Sequence, residues 1–226
     1  MPKVYCSTIS RETKAVYDGT NFNYNGDIVV DKNGIASGFS VKSWINAPVS
    51  IAKASTSMVV IKTRWIHNTL SSDVAMIWEL FSASGRKIRQ EVAGDDKSTK
   101  ILHNNTDTVG SIKFDTALVS GDIIDVEATV DFANNTFSET LVVNNNKRYT
   151  LNTTVSWASA TYVTFLLGVY YSDSYKYPFD GGGIDLSRTK LLVDGYQILS
   201  GLKTITATTQ EVKAYKDGDV YEVFTQ

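Results

Sequence analysis

The sequence predicts an all-β protein folded as a sandwich of antiparallel strands. Three observations lead there. Thr, Ser, Val, Ile and Tyr are plentiful while the 226 residues hold only three prolines, a composition that favours strands over helices. No long segment keeps a 3.6-residue apolar period. Instead, runs of about five to eight residues recur with turn signals about every 8 to 12, which is the spacing of a sandwich or barrel.

The elements follow in order. Residues 1–26 read as an N-terminal arm or hairpin: a strand over Val4–Ile9, then Lys14–Tyr17, Asp18-Gly19 and Phe22–Tyr24 as a small hairpin. Asn25-Gly26 and Asn33-Gly34 bracket Ile28–Val30, a second hairpin. Along Met58–Trp65, Val59, Ile61, Thr63 and Trp65 share one face and Lys62 and Arg64 the other, the antiparallel pattern of one buried and one wet face. Asp73–Phe81 is an apolar run interrupted by Glu79, a strand or a short helix with strand the favoured reading, and Gly85–Glu91 an exposed strand or turn. The clearest alternation runs from Ile124 to Phe132, with Ile124, Val126, Ala128, Val130 and Phe132 on one side. Thr136–Val143 pairs with it and ends at Asn144-Asn145-Asn146. Tyr162–Val169 is apolar on both faces and suits a central strand. Lys190–Val193 and Tyr196–Leu199 flank Asp194-Gly195, a strong type I′ hairpin signal. Ile184, Leu186, Leu192 and Ile198 are read as core residues. The body of the sandwich is placed at 27–205 and a C-terminal hairpin at 206–226. The length favours a jelly roll over a seven-strand immunoglobulin-like sandwich.

Composition narrows the function classes. Apolar residues make up 42% and the formal net charge is −2, so a core can be buried and no clustered basic face marks a nucleic-acid protein. Cys6 is the single cysteine. It is read as a plain strand residue, and the missing disulfides fit folding in a reducing cytoplasm. The first residues lack the apolar core of a secretory signal, and no run is long enough to span a bilayer.

One stretch is more specific. Phe179-Asp180-Gly181-Gly182-Gly183-Ile184-Asp185-Leu186-Ser187-Arg188-Thr189 resembles the closing signature of concanavalin A-like, laminin-G-like jelly rolls found in bacteriophage tail and virion proteins. Gly34–Ser40 with Trp44 resembles the opening of such domains, and the strand–turn–strand unit 122–143 is similar to theirs. Lys213–Tyr221 is similar to a short hairpin near the ends of phage structural proteins. The resemblance spans about residues 27 to 202. It implies a virion structural protein made in the host cytoplasm: a tail or head fibre or decoration subunit that contacts host-surface glycan, joined to other virion proteins and oligomeric, with a trimer as the candidate form. The alternative it leaves open is a capsid or tail component with no ligand.

Some members of this fold are glycosidases that carry Glu-x-Asp-x-Glu on one strand, where alternate residues share a face. Asp125-x-Glu127-x-Thr129-x-Asp131 is the nearest run, and it departs from that motif, with Thr129 where a carboxylate is required. A solvated strand face is the plainer reading, and no enzyme activity is expected. His67 and His103 lack metal-ligand spacing and are read as loop or surface residues. No cofactor is expected, although Asp95-Asp96 and Asp173 could offer oxygens to calcium. The binding candidate is the tyrosine-rich loop, through Tyr171, Asp173, Tyr175 and Tyr177. Its rings offer flat apolar faces with polar tips, and they serve equally to cover the sandwich edge. Trp157, in a Ser/Ala-rich loop, is a weaker candidate.

Overall fold

The computed structural model describes residues 4–26, 28–38, 44–52, 56–68, 75–82, 87–92, 96–103, 107–155, 162–167, 183–216 and 219–225. In chain order the strands are β1 (Val4–Tyr17), β2 (Asn23–Asn25), β3 (Val29–Val30), β4 (Ile35–Ser37), β5 (Trp44–Ala52), β6 (Met58–Ile66), β7 (Ala75–Ser82), β8 (Lys87–Val92), β9 (Ser98–His103) and β10 (Asp107–Lys113). Then come β11 (Ile123–Asp131), β12 (Thr136–Val143), β13 (Lys147–Thr154), β14 (Tyr162–Leu167), β15 (Gly183–Asp185), β16 (Lys190–Val193), β17 (Tyr196–Ser200), β18 (Leu202–Lys216) and β19 (Asp219–Thr225). Two units form: Met1–Val16 with Leu202–Gln226, and Tyr17–Gly201.

The smaller unit carries a sheet in the order β1-β18-β19. β18 and β19 pair antiparallel from Glu211↔Thr225 to Lys216↔Asp219. β1 is one unbroken strand where the sequence predicts a strand followed by a hairpin, because its backbone groups are taken up by the ladder with β18. Asp18 does not turn the chain back. It caps the short 3-10 turn Gly19–Asn21, its carboxylate accepting from the Thr20 N–H at 3.3 Å and hydroxyl at 2.8 Å.

In the larger unit, among the described residues, β10-β9-β8-β7-β14-β5-β2 form one sheet and β13-β12-β11-β6-β15-β4-β3 the other. Their inner faces share one apolar core. The ring centroids of Trp78 on β7 and Phe137 on β12 lie 5.9 Å apart across it. The alternation seen in the sequence sets these faces: Val59, Ile61 and Trp65 are buried on β6, Ile124, Val126, Ala128 and Val130 on β11, and Phe137 and Leu141 on β12. At one margin the layers are tied directly, the Thr153 hydroxyl donating to the Val109 carbonyl at 2.7 Å.

β6 is the strand on which the second sheet divides. One edge pairs with β11 over its whole length, from Ile123↔Ile66 to Asp131↔Met58. The other edge is shared: β15 takes Ile66 and Trp65, and β16 takes Lys62 to Val59. The 3-10 turn Leu186–Arg188 bridges the two, and the Thr63 and Thr189 hydroxyls meet beneath it at 3.0 Å. Gly183 is required here, since a Cβ on it would stand 2.3 Å from the Ala36 carbonyl oxygen.

The β16–β17 hairpin turns at Asp194 and Gly195, with φ of 48° and 85°, as a type I′ turn demands. Its inward residues correct one expectation. Ile184 and Leu186 are buried, but Ile198 is 41% exposed and Leu192 only half-buried. A register shift between Leu191 and Leu192 turns Leu191 and Leu199 inward instead.

Candidate functional site

The tyrosine-loop residues Tyr171, Asp173, Tyr175 and Tyr177 lie outside the described residues, as do Trp157 and Asp95. The carboxylate run on β11 is described, and it faces outward. Asp125 lies directly opposite Arg64 on β6 and takes both guanidinium contacts, at 2.7 and 2.8 Å. Glu127 lies opposite Lys62 and pairs with it at 2.9 Å. Asp131 accepts from the backbone and side-chain nitrogens of Asn134, which hold its carboxyl below the usual range. Each carboxylate is therefore engaged by a cross-strand cation or a turn, the arrangement of a stabilised outer face.

The structure corrects the reading of His67. It follows β6 but is buried at 3%, with Nε2 2.9 Å from Oδ1 of Asp96, itself 5% exposed. A carboxylate only accepts, so Nε2 carries the proton. Burial pushes the imidazole pKa down, against the pull of the Asp96 charge. Asp96 is thus directed at an imidazole, and among the described residues no group of three His, Cys, Asp or Glu side chains is placed to hold a metal.

A groove of about 340 Å³ opens between the segment 114–122, which joins β10 to β11, and the turn between β12 and β13. The turn forms because Asn144 and Asn145 accept the left-handed conformation, with φ of 52° and 55°. Asn144 then ties the two walls together. Its Oδ1 accepts from the Ile123 N–H at 2.9 Å, and its Nδ2 donates to Asp122 Oδ1 at 2.8 Å. The other Asp122 oxygen accepts from the Val119 N–H at 2.8 Å. Asp122 and Asn144 are structural braces.

What remains facing the groove is amphipathic. Phe114, Leu118 and Val143 form a buried apolar floor, while Val119 stands 59% exposed on the rim. Tyr149 packs edge-on against Phe114 with centroids 5.2 Å apart, and its hydroxyl donates to Asp115 Oδ2 at 3.3 Å. Lys147 sits 3.8 Å from the same oxygen. Among the described residues, the Thr116 hydroxyl and the Asn146 amide line the groove without a protein partner. Such a surface offers an apolar ring face beside several hydrogen-bonding groups. The sequence reading missed it, because Asn144-Asn145-Asn146 registers only as a strand end and its neighbours at 114–122 are brought there by folding.

Two further buried groups stand apart from the groove. On β7 and β8, Glu79 has no exposure and lies 3.9 Å from Arg89, which bonds Glu91 at 2.6 Å. On β12, Glu139 points into the core at 2% exposure. Neither of its oxygens meets a donor at full hydrogen-bond geometry among the described residues. Burial pushes its carboxyl up to about 8, eased only partly by the Trp78 indole.

No protein family and no curated protein matches the sequence. Solved structures do. Peanut lectin with a nine-residue peptide aligns with a TM-score of 0.61 at 12% identity, covering 88% of this chain and 100% of that one. Lectin I-B4 from Griffonia simplicifolia, in its metal-free form, aligns at 0.59 and 9% identity, covering 87% and 99%. The lectin UEA-II complexed with galactose aligns at 0.56 and 12% identity, covering 87% and 98%. At these identities the likeness speaks for the fold alone: the chain is an all-β, concanavalin A-like jelly-roll sandwich.

Proposed function

We propose that this protein binds carbohydrate, and that the groove between 114–122 and the β12–β13 turn is where it does so. The observation that carries the reading is the pairing of a half-buried tyrosine and an apolar floor with Thr116 and Asn146 side chains that meet no partner among the described residues. A pyranose has one apolar face and a ring of hydroxyls, and that surface complements both. The lectin fold supports the same reading, since one neighbour was solved holding galactose.

The setting we propose is a virion-borne module that contacts host-surface glycan. It rests on the closing phrase Gly181–Ser187 and the C-terminal hairpin sequence, which are similar to those of phage structural proteins. We read the module as non-catalytic, because the Asp125 and Glu127 carboxylates are each matched to a cation.

A glycan array followed by calorimetry tests the proposal. Binding of an array hit, with methyl galactoside among the monosaccharide probes, should weaken about tenfold or more in Tyr149→Ala and Asn146→Ala. An empty array, or full affinity in both variants, would remove the groove as a sugar site.

A further inference from the structure

We propose that His67 and Asp96 are positioning residues for the groove: their side-chain bond, made out of reach of any ligand, fixes the wall that residues 114–122 present. The proposal rests on the reading of the groove as a binding site. Two stretches far apart in sequence hold that segment. After β6, His67 takes both sides of the clamp, its N–H donating to the Asp122 carbonyl at 2.8 Å and its carbonyl accepting from the Gly121 N–H at 2.9 Å. Ahead of β9, the Asp96 carbonyl accepts from the Leu118 N–H at 2.8 Å and the Lys97 carbonyl from the Phe114 N–H at 2.8 Å. The imidazole–carboxylate bond, at 2.9 Å, joins these two stretches to each other.

The geometry explains why a polar pair stands where an apolar one would pack. Asp96 adopts a left-handed backbone, φ 57°, a conformation that a side chain rarely takes without a reason in its surroundings. Two apolar side chains would fill the space and leave the stretches free to slide. A carboxylate accepting from a fixed N–H sets one direction and one separation, which is the register-setting use of a buried polar pair. The Leu118 and Val119 side chains on the floor and rim are carried by the segment so held.

The intact chain tests this by amide hydrogen exchange, with no sugar present. The Leu118 and Gly121 amides report the two clamps, and Val126 and Ala128 on β11 are the controls. In His67→Leu, exchange at Leu118 and Gly121 should rise about tenfold or more while the controls hold. His67→Gln, which keeps a donor, should restore most of the protection. In the wild type, the His67 Nε2–H should give a slowly exchanging resonance, an arm that needs no variant. Equal acceleration at the controls, no change at Leu118 and Gly121, no rescue by glutamine, or a fast-exchanging Nε2–H would each overturn the proposal. An empty glycan array removes the sugar reading and leaves this result standing, so the two failures are told apart.

Discussion

Asp96 and Glu139 are both carboxyl side chains shut away from solvent, and they are held in opposite ways. Asp96 meets an imidazole N–H at 2.9 Å. Glu139 meets no donor at full hydrogen-bond geometry among the described residues, and the Trp78 indole eases its charge only partly. The two regions therefore answer pH with opposite signs. Glu139 has its pKa raised from 4.5 to about 8, so the native state keeps a proton that the unfolded chain releases. Its contribution is whole below pH 4.5 and is lost as pH rises toward 8. His67 has its pKa lowered from 6.5, so the unfolded chain takes a proton first. Its contribution is whole above pH 6.5 and is lost in acid. The lesson is that a partner, more than burial, decides whether an interior acid ties the fold or strains it.

The largest test of that contrast is alkaline. Urea unfolding should show the wild type losing roughly 3–5 kcal/mol relative to Glu139→Gln between pH 5 and pH 9, since both proteins share the His67 contribution. A wild type whose pH profile runs parallel to that of the variant would mean that Glu139 has found a partner. Next comes the paired acid. Asp96→Ala leaves the buried imidazole alone and should cost about 3 kcal/mol at pH 7 in the same measurement. Double replacement of His67 and Asp96 by leucine should cost less than that single change.

The outer face supplies the smaller effects. Arg64, half-buried and bidentate on Asp125, should lose about 1 kcal/mol on change to alanine, seen as a thermal midpoint about 3 °C lower. Lys62 and Glu127 are 42% and 54% exposed. Lys62→Ala should change stability by about 0.3 kcal/mol and become silent in high salt.

How much of this was legible follows from the range of each interaction. β6 and β11 declared themselves by period-2 alternation, and Asp194-Gly195 declared its turn, since both signals are local. Glu139 carried a readable signal that composition hides: it falls in phase with Phe137, Leu141 and Val143, and that phase points inward. Ile198 was misplaced because a register shift of one residue reverses the faces of a strand. His67 continues the inward phase of Val59, Ile61, Thr63 and Trp65, yet it looked like a surface residue because β6 ends at Ile66 and its partner lies 29 residues away. The groove was beyond reach for the same reason, its walls meeting only when the β10–β11 segment folds against the β12–β13 turn.

One bond has a wider consequence. The Asp18 N–H donates to the Gly201 carbonyl at 2.9 Å, so the path into the sandwich and the path out of it coincide. Residues 17–201 therefore form a portable cassette whose two ends need no spacer between them. Such a cassette can be grafted into a surface loop of an unrelated host without prising its sheets apart. Sealed with a short linker and reopened at the exposed Asn134-Asn135 turn, it should refold as a circular permutant with the groove intact.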